Sequence, residues 1–430
     1  VSARQLIIVL LMIDFLFGIS GCAMDPQPEV RDRVTTLAAG ASKTCVILDD
    51  RKIRCWGRND HGRLGSALPE DIYGDDEPAS AVPTLDVGGP VVGLALDIDT
   101  SCFMLRSGDV RCWGGGSLGA LGIVWEGWLG DDETMLDGRP IDFGGVSPLQ
   151  IATGSSHACA RFDDGTIKCW GYGGEGATGY GSTENLGDTP DEQPKDLPTV
   201  DVGGPVRGLF AAAQNTCVVL ADGRPKCWGH AGFGRLGPGI TSAVGDDETP
   251  ASIEPLRLAG GPVATLAAQG RHICALHDDG AVSCWGEAGP WLGYGKAIDD
   301  IGEALGDDED PASMGHVPVG GVVVELAVGN AFTCARLEAG SVKCWGASDV
   351  GQLGYGNTNF VGYHQTPAEV EPLELGGAAI RLVSGWDHTC ALLADDSLRC
   401  WGVDVRVGYG SGQHVGDDET PAEAGPVPFR

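Results

Sequence analysis

Basic residues are scarce in this 430-residue chain: 28 Lys and Arg stand against 60 Asp and Glu, a formal net charge of −32. Phosphate backbones and anionic headgroups both need a cationic surface, so nucleic-acid binding and electrostatic attachment to a membrane are excluded. Long apolar runs are lacking too. The run Leu6–Ile19 contains Asp14 and is too short for the roughly 20 residues of a membrane-crossing helix. The chain has no H-E-x-x-H or phosphate-loop pattern and no D-x-D-x-D-G calcium loop, which removes the commonest zinc-peptidase, nucleotide-binding and EF-hand readings.

What the chain does have is 15 cysteines, 69 glycines and 25 prolines. Fourteen of the cysteines form seven pairs with a spacing of ten: Cys45 with Cys55, Cys102 with Cys112, Cys159 with Cys169, Cys217 with Cys227, Cys274 with Cys284, Cys334 with Cys344 and Cys390 with Cys400. In the third copy, Cys159–Gly171, the midpoint falls on Asp164. A fold-back there places the two cysteines opposite each other and leaves Asp163-Asp164-Gly165 as a three-residue hairpin loop. Such a loop wants a left-handed last residue, which glycine supplies without a Cβ clash. Gly108, Gly165, Gly223, Gly280 and Gly340 meet that demand, whereas Arg51 and Asp396 depart from it. Seven intra-hairpin disulfides are predicted, and with them an oxidising compartment. Trp-Gly follows every second cysteine.

First cysteines lie 57, 57, 58, 57, 60 and 56 residues apart, a period that marks a propeller or solenoid. Each repeat reads as a short apolar strand A, the hairpin strands B and C, a glycine-rich loop, a Gly-Asp-Asp-Glu-type run and a last short strand D. The D segments are Thr84–Val87, Thr199–Val202, Leu256–Leu258, Leu373–Leu375 and, at the end, Pro426–Phe429. The expected fold is all-β: a seven-bladed β-propeller of four-stranded antiparallel blades spanning residues 33–430. Upstream, residues 1–21 resemble a bacterial lipoprotein signal ending in Ile19-Ser20-Gly21, with Cys22 as the lipidated residue and 22–32 as a tether.

The His157…Cys159 spacing, the Gly165…Cys169-Trp170-Gly171 run and the loops Gly62-Arg63-Leu64-Gly65 and Gly351-Gln352-Leu353-Gly354 resemble repeats of the regulator of chromosome condensation family. The resemblance covers all seven repeats and implies the propeller fold. Its members include a nuclear guanine-nucleotide exchange factor and secreted inhibitory proteins, so it leaves activity open. The paired cysteines are similar to those of exported bacterial versions.

Site residues follow from strand polarity. With A to D antiparallel in turn, A–B turns and C–D loops share one face and B–C turns occupy the other. The first face carries Trp125, Trp128 and Trp291 in loops, and Arg271, Phe332 and Trp386 at A–B turns. Aromatics and arginine are enriched at interfaces, so these six are the expected binding residues, whereas the uniform B–C turns offer little to distinguish a partner. His157, His272 and His388 recur at one position and read as structural. A Lys or Arg precedes the second cysteine in six repeats. It is expected either to pair with an acid or to pack its stem on Trp. The acidic runs read as solvated turns. Asp246, Asp247 and Glu248 are weak Ca²⁺ candidates, because calcium wants six to eight oxygens and consecutive acids are expected to diverge. The reading is a monomeric, non-enzymatic binding protein of the cell envelope that needs no cofactor and recognises an extracytoplasmic protein or glycan. The alternative is a polysaccharide-acting hydrolase or lyase using carboxylates on the propeller face.

Overall fold

The computed structural model describes residues 33–296 and 302–430. The signal segment, the lipidation site Cys22 and the tether lie outside them. Arg33–Arg430 forms one compact unit, and 33–430 is the span expected for the propeller.

Each hairpin forms in the register that the spacing dictates, with the two cysteines as direct partners across the strands. All seven expected disulfides are present. Cys45 is bonded to Cys55, Cys102 to Cys112, Cys159 to Cys169 and Cys217 to Cys227. Cys274 is bonded to Cys284, Cys334 to Cys344 and Cys390 to Cys400. Within every pair the Cα atoms are 4.0–4.1 Å apart. Gly165 turns the third hairpin at φ 79°, and its N–H donates to Phe162 O at 3.1 Å. The two departures behave as their chemistry requires. Asp396 takes the left-handed place at φ 64°, while the first hairpin bends through Asp49 and Asp50 and spares Arg51.

Strand A joins the B side of every hairpin, as Val34–Ala39, Val91–Leu96, Gln150–Thr153, Val206–Ala212, Val263–Gln269, Val323–Val328 and Ala379–Ser384. Seven antiparallel sheets result. The fourth strand is broken in two. One piece meets the Gly end of strand C, either as a two-residue strand such as Ile72–Tyr73, Trp128–Leu129 or Ala304–Leu305 or as a single bridge such as Gly171 to Leu186. The other piece is the expected D segment, held at the start of strand C by Val200 N to Ile167 O, Leu256 N to Pro225 O and their counterparts. Between them a left-handed glycine such as Gly130 (φ 122°) turns the chain out of the sheet into the acidic run.

The ring is held by tryptophan. All seven Trp-Gly tryptophans are fully buried. Each indole N–H donates to a carbonyl in the C–D loop of the preceding blade at 2.9–3.1 Å, from Trp113 to Arg63 through Trp401 to Gln352. Trp56 to Arg406 O at 3.0 Å is the seventh copy and closes the circle. The terminal segment belongs to blade seven through Val427 N to Leu398 O, and it also touches blade one: Ser80 N donates to Pro428 O at 2.8 Å and Arg54 to Phe429 O. The seven A strands line one central cavity of about 330 Å³.

Candidate functional site

The C–D loops and A–B turns share a face, as the strand polarity requires. Arg63, in the first C–D loop, binds Asp99 in the next blade's A–B turn at 2.7 Å and also pairs with Asp60. Arg406 binds Asp387 at 2.7 Å in blade seven. Near the blade-one/blade-two junction, Lys43 is fully buried and burial pushes its ammonium down to about 7. Asp97, at this end of the central cavity, is buried and pushed up to about 7. Its oxygens accept the N–H groups of Ile98 (2.7 Å) and of Ala213 in blade four (3.2 Å). The two carboxylates beside the cavity mouth, Asp97 and Asp99, are thus bound to backbone and to arginine.

The six expected binding residues fall in three places around the ring. Trp125 and Trp128 share the second C–D loop and are half-buried. The Trp128 ring stacks on His61 at 4.7 Å, with the Arg63 guanidinium 5.9 Å from its centre. Trp291 and Arg271 come together in blade five. The guanidinium lies 5.8 Å from the indole and 2.9 Å from Glu287, whose carbonyl takes the Trp291 N–H at 2.7 Å. Trp386 is half-buried on the seventh A–B turn and is tied to its neighbours by Trp386 N to Ala41 O and Asn330 N to Trp386 O. Phe332 is a correction: it is 1 % exposed. It starts strand B at the place His157 holds in blade three, and that place points between blades.

The histidines show why. His157 Nε2 lies 2.8 Å from Thr216 Oγ1 of the next blade, and Thr216 donates to Ala177 O, the carbonyl that also takes the Trp228 N–H. His272 with Thr333 (2.7 Å) and His388 with Thr44 (2.8 Å) repeat the lock. Burial holds the imidazoles down, His157 at about 4 and the others at about 3. Four of the six basic residues before the second cysteine bond to backbone rather than to an acid. Lys168, Lys226 and Lys343 donate to backbone carbonyls of the outer loops at 2.9–3.1 Å, and Arg111 does the same at Leu136 O.

The acidic runs also correct the expected divergence. In Asp246, Asp247 and Glu248, and in four sister runs, three carboxylates converge within 4.8 Å. The first aspartate folds back to accept the next N–H, as in Asp247 N to Asp246 Oδ1 at 3.0 Å, and this brings the side chains together. Crowding raises the glutamates: Glu248 to about 6 and Glu309 to about 7, each chiefly through its neighbouring aspartate, and Glu419 to about 7, chiefly through burial. Three carboxylates on one turn supply half or less of a calcium shell.

The opposite face is less bare than its turns imply. Val92, Val146, Leu149, Val322, Val324 and Ile380, 40–55 % exposed, flank the entries of the inner strands there. Position in a strand, with alternate residues facing out, was the only sequence signal for them. Among the described residues no helix is long and apolar enough to cross a membrane.

Models of the "Regulator of chromosome condensation (RCC1) repeat" match residues 34–63, 149–177, 323–352 and 380–406, and a second one matches 339–392. The chain is 27% identical over 389 residues to the ultraviolet-B receptor UVR8 of Arabidopsis thaliana, covering 89% of this chain and 80% of the receptor. It is 24% identical to the guanine nucleotide exchange factor SRM1 of Saccharomyces cerevisiae, covering 76% and 73%. It is also 27% identical to human E3 ubiquitin-protein ligase HERC2, of which it spans only 7%. Among solved structures it superposes on human WBSCR16 with a TM-score of 0.66 at 18% identity, covering 85% and 92% of the two chains. For Saccharomyces cerevisiae Prp20p, described with its binding to Gsp1p and histones, the TM-score is 0.61 at 18% identity, covering 84% and 83%. These relatives carry binding, regulatory and exchange functions on one architecture. The seven hairpin repeats, the tryptophan-locked ring and these matches agree: the chain carries regulator of chromosome condensation (RCC1) repeats over the matched residues and folds as a β-propeller.

Proposed function

We propose that the chain is a non-enzymatic exported binding propeller, anchored through Cys22, that recognises an extracytoplasmic protein or glycan through its loop face. The observation that carries this is the pairing of aromatic rings with arginine in the loops, Arg63 with Trp128, Arg235 with Phe233 and Arg271 with Trp291. Such pairs present flat, rigid contact area at small entropic cost. Arg33 and Arg430 each bind Asp396 on the B–C turn side, away from the loop face. Seven disulfides fit an exported protein.

The test is capture of a partner from the native envelope. Replacing Trp125 and Trp128 together by Ala is expected to weaken capture while the disulfides remain intact, and Asp164→Ala at a hairpin tip is expected to be silent. The exposed valines of the other face favour a second reading. If Val322→Ser with Val324→Ser abolishes capture and the tryptophan pair does not, the B–C face is the recognition surface.

A further inference from the structure

The repeat supplies its own controls, and blade four departs from them. In blades three, five, six and seven a tyrosine follows the glycine-rich loop: Tyr180, Tyr294, Tyr355 and Tyr409. Each phenol oxygen accepts the backbone N–H of that blade's second cysteine at 3.1–3.4 Å. The half-buried ring therefore fills the space between the C–D loop and the outer edge of strand C. Blades one and two have Ser66 and Ile123 instead, where Ser66 bridges to Thr134 and Ile123 is itself buried.

Blade four has Pro238, set between Gly237 and Gly239 as Tyr180 is between Gly179 and Gly181. Proline has neither the reach nor the hydroxyl of tyrosine. A groove of about 360 Å³ opens there, with Leu236, Ile240, Ile253 and Leu256 in its walls. Ile240 also lines a second groove of about 460 Å³ toward blade five. Phe233, 49 % exposed, stands in that groove at φ 64°, a conformation bulky residues rarely adopt. Five carboxylates rim the two grooves: Glu254, Glu287, Glu303, Asp307 and Asp310. Among the described lining residues Arg257 is the one cation.

We infer that this cleft between blades four and five is a peptide-docking groove. Its occupant is an extended segment of a partner protein with an aromatic side chain flanked by Lys or Arg. The aromatic ring enters the place that a tyrosine fills in four sister blades, and the flanking cations meet the carboxylate rim. The inference rests on the binding reading of the propeller and adds to the Trp125 and Trp128 contacts a second anchor at Pro238 and Ile240.

The probe is a fluorescein-labelled hexapeptide with a central Phe between lysine pairs, compared with the same peptide carrying Ser for Phe. Pro238→Tyr restores the sister-blade plug between two glycines that already favour it. It is expected to weaken the Phe peptide about tenfold or more, as loss of an anchor residue does, and to leave the Ser peptide unchanged. Glu254→Gln with Glu303→Gln is expected to weaken both peptides about three- to tenfold, and this keeps the test decisive if Pro238→Tyr misfolds. Photo-crosslinks from the Phe peptide are expected within 231–241 and 303–310. Equal affinity of the two peptides, or a Phe peptide indifferent to both variants, overturns the groove. Failure to capture any envelope partner overturns the binding reading instead, and leaves the peptide affinities as they stand.

Discussion

Acid is expected to loosen the ring through three buried histidines. In the unfolded chain each imidazole takes a proton below about pH 6.5. In the folded chain His157 stays neutral down to about 4, and His272 and His388 down to about 3, because their rings are sealed between blades. The unfolded state therefore binds more protons between these limits, and stability falls as pH falls from about 6.5. At pH 5 each histidine costs about 2 kcal/mol, and the three together about 6 kcal/mol, from ~1.4 kcal/mol per pH unit. That is a large part of the ~5–15 kcal/mol by which domains are stable. The acidic runs act in the opposite sense at higher pH. Glu248, Glu309 and Glu419 are held above the ordinary carboxylate value, so the folded chain takes up their protons first and is favoured as pH drops from about 8 down to about 4.5, which offsets part of the histidine slope and leaves the comparison with a histidine-free variant as the measure of it. The assay is urea unfolding followed by tryptophan fluorescence from pH 8 to pH 5 with disulfides intact. A triple variant, His157→Phe, His272→Phe and His388→Phe, copies the residue blade six already uses as Phe332. It is expected to lose about 1 kcal/mol per missing threonine bond at neutral pH and to lack the acid slope below 6.5. An unchanged slope in the triple variant refutes the assignment to the histidines.

Deleting Glu423–Arg430 removes the bonds from Ser80 to Pro428 and from Arg54 to Phe429; a lower melting temperature and aggregation are expected, and a truncated protein that melts like the full chain refutes closure through this segment. Trp228→Phe keeps an aromatic ring but loses the N–H to Ala177 O, which retains the Thr216 hydroxyl as donor, at an expected cost of about 1 kcal/mol for the lost bond, read from the urea midpoint. Non-reducing peptide mapping is expected to return the seven ten-residue pairs, from Cys45 with Cys55 to Cys390 with Cys400, and, from the signal reading, a lipid-modified Cys22 peptide; links between different repeats would contradict the hairpin register. Replacing Cys217 and Cys227 by Ala is expected to destabilise by ~2–4 kcal/mol, measured by differential scanning calorimetry.

The repeat, the hairpin register and the disulfide pairing were legible in the sequence by itself, because all three are local. A spacing of ten between cysteines and a glycine at the loop leave one antiparallel pairing, and seven repeats of near-equal length mark a propeller or solenoid. Even the exceptions, Arg51 and Asp396, announced themselves through backbone chemistry. Contacts between blades were not legible, since they join residues about 50 apart that no local pattern relates. Only the tertiary structure shows that the Trp-Gly tryptophan is a bolt into the preceding blade, that Lys168, Lys226 and Lys343 cap carbonyls rather than pair with acids, and that Phe332 belongs to the seam its histidine counterparts hold. The three carboxylates of each acidic run converge because of a backbone turn, and side-chain direction at a turn depends on φ and ψ rather than on residue order. The groove at Pro238 was written in the sequence as a proline where four sister blades have tyrosine. It acquired meaning only when the sister tyrosines were seen to fill the space that proline leaves open.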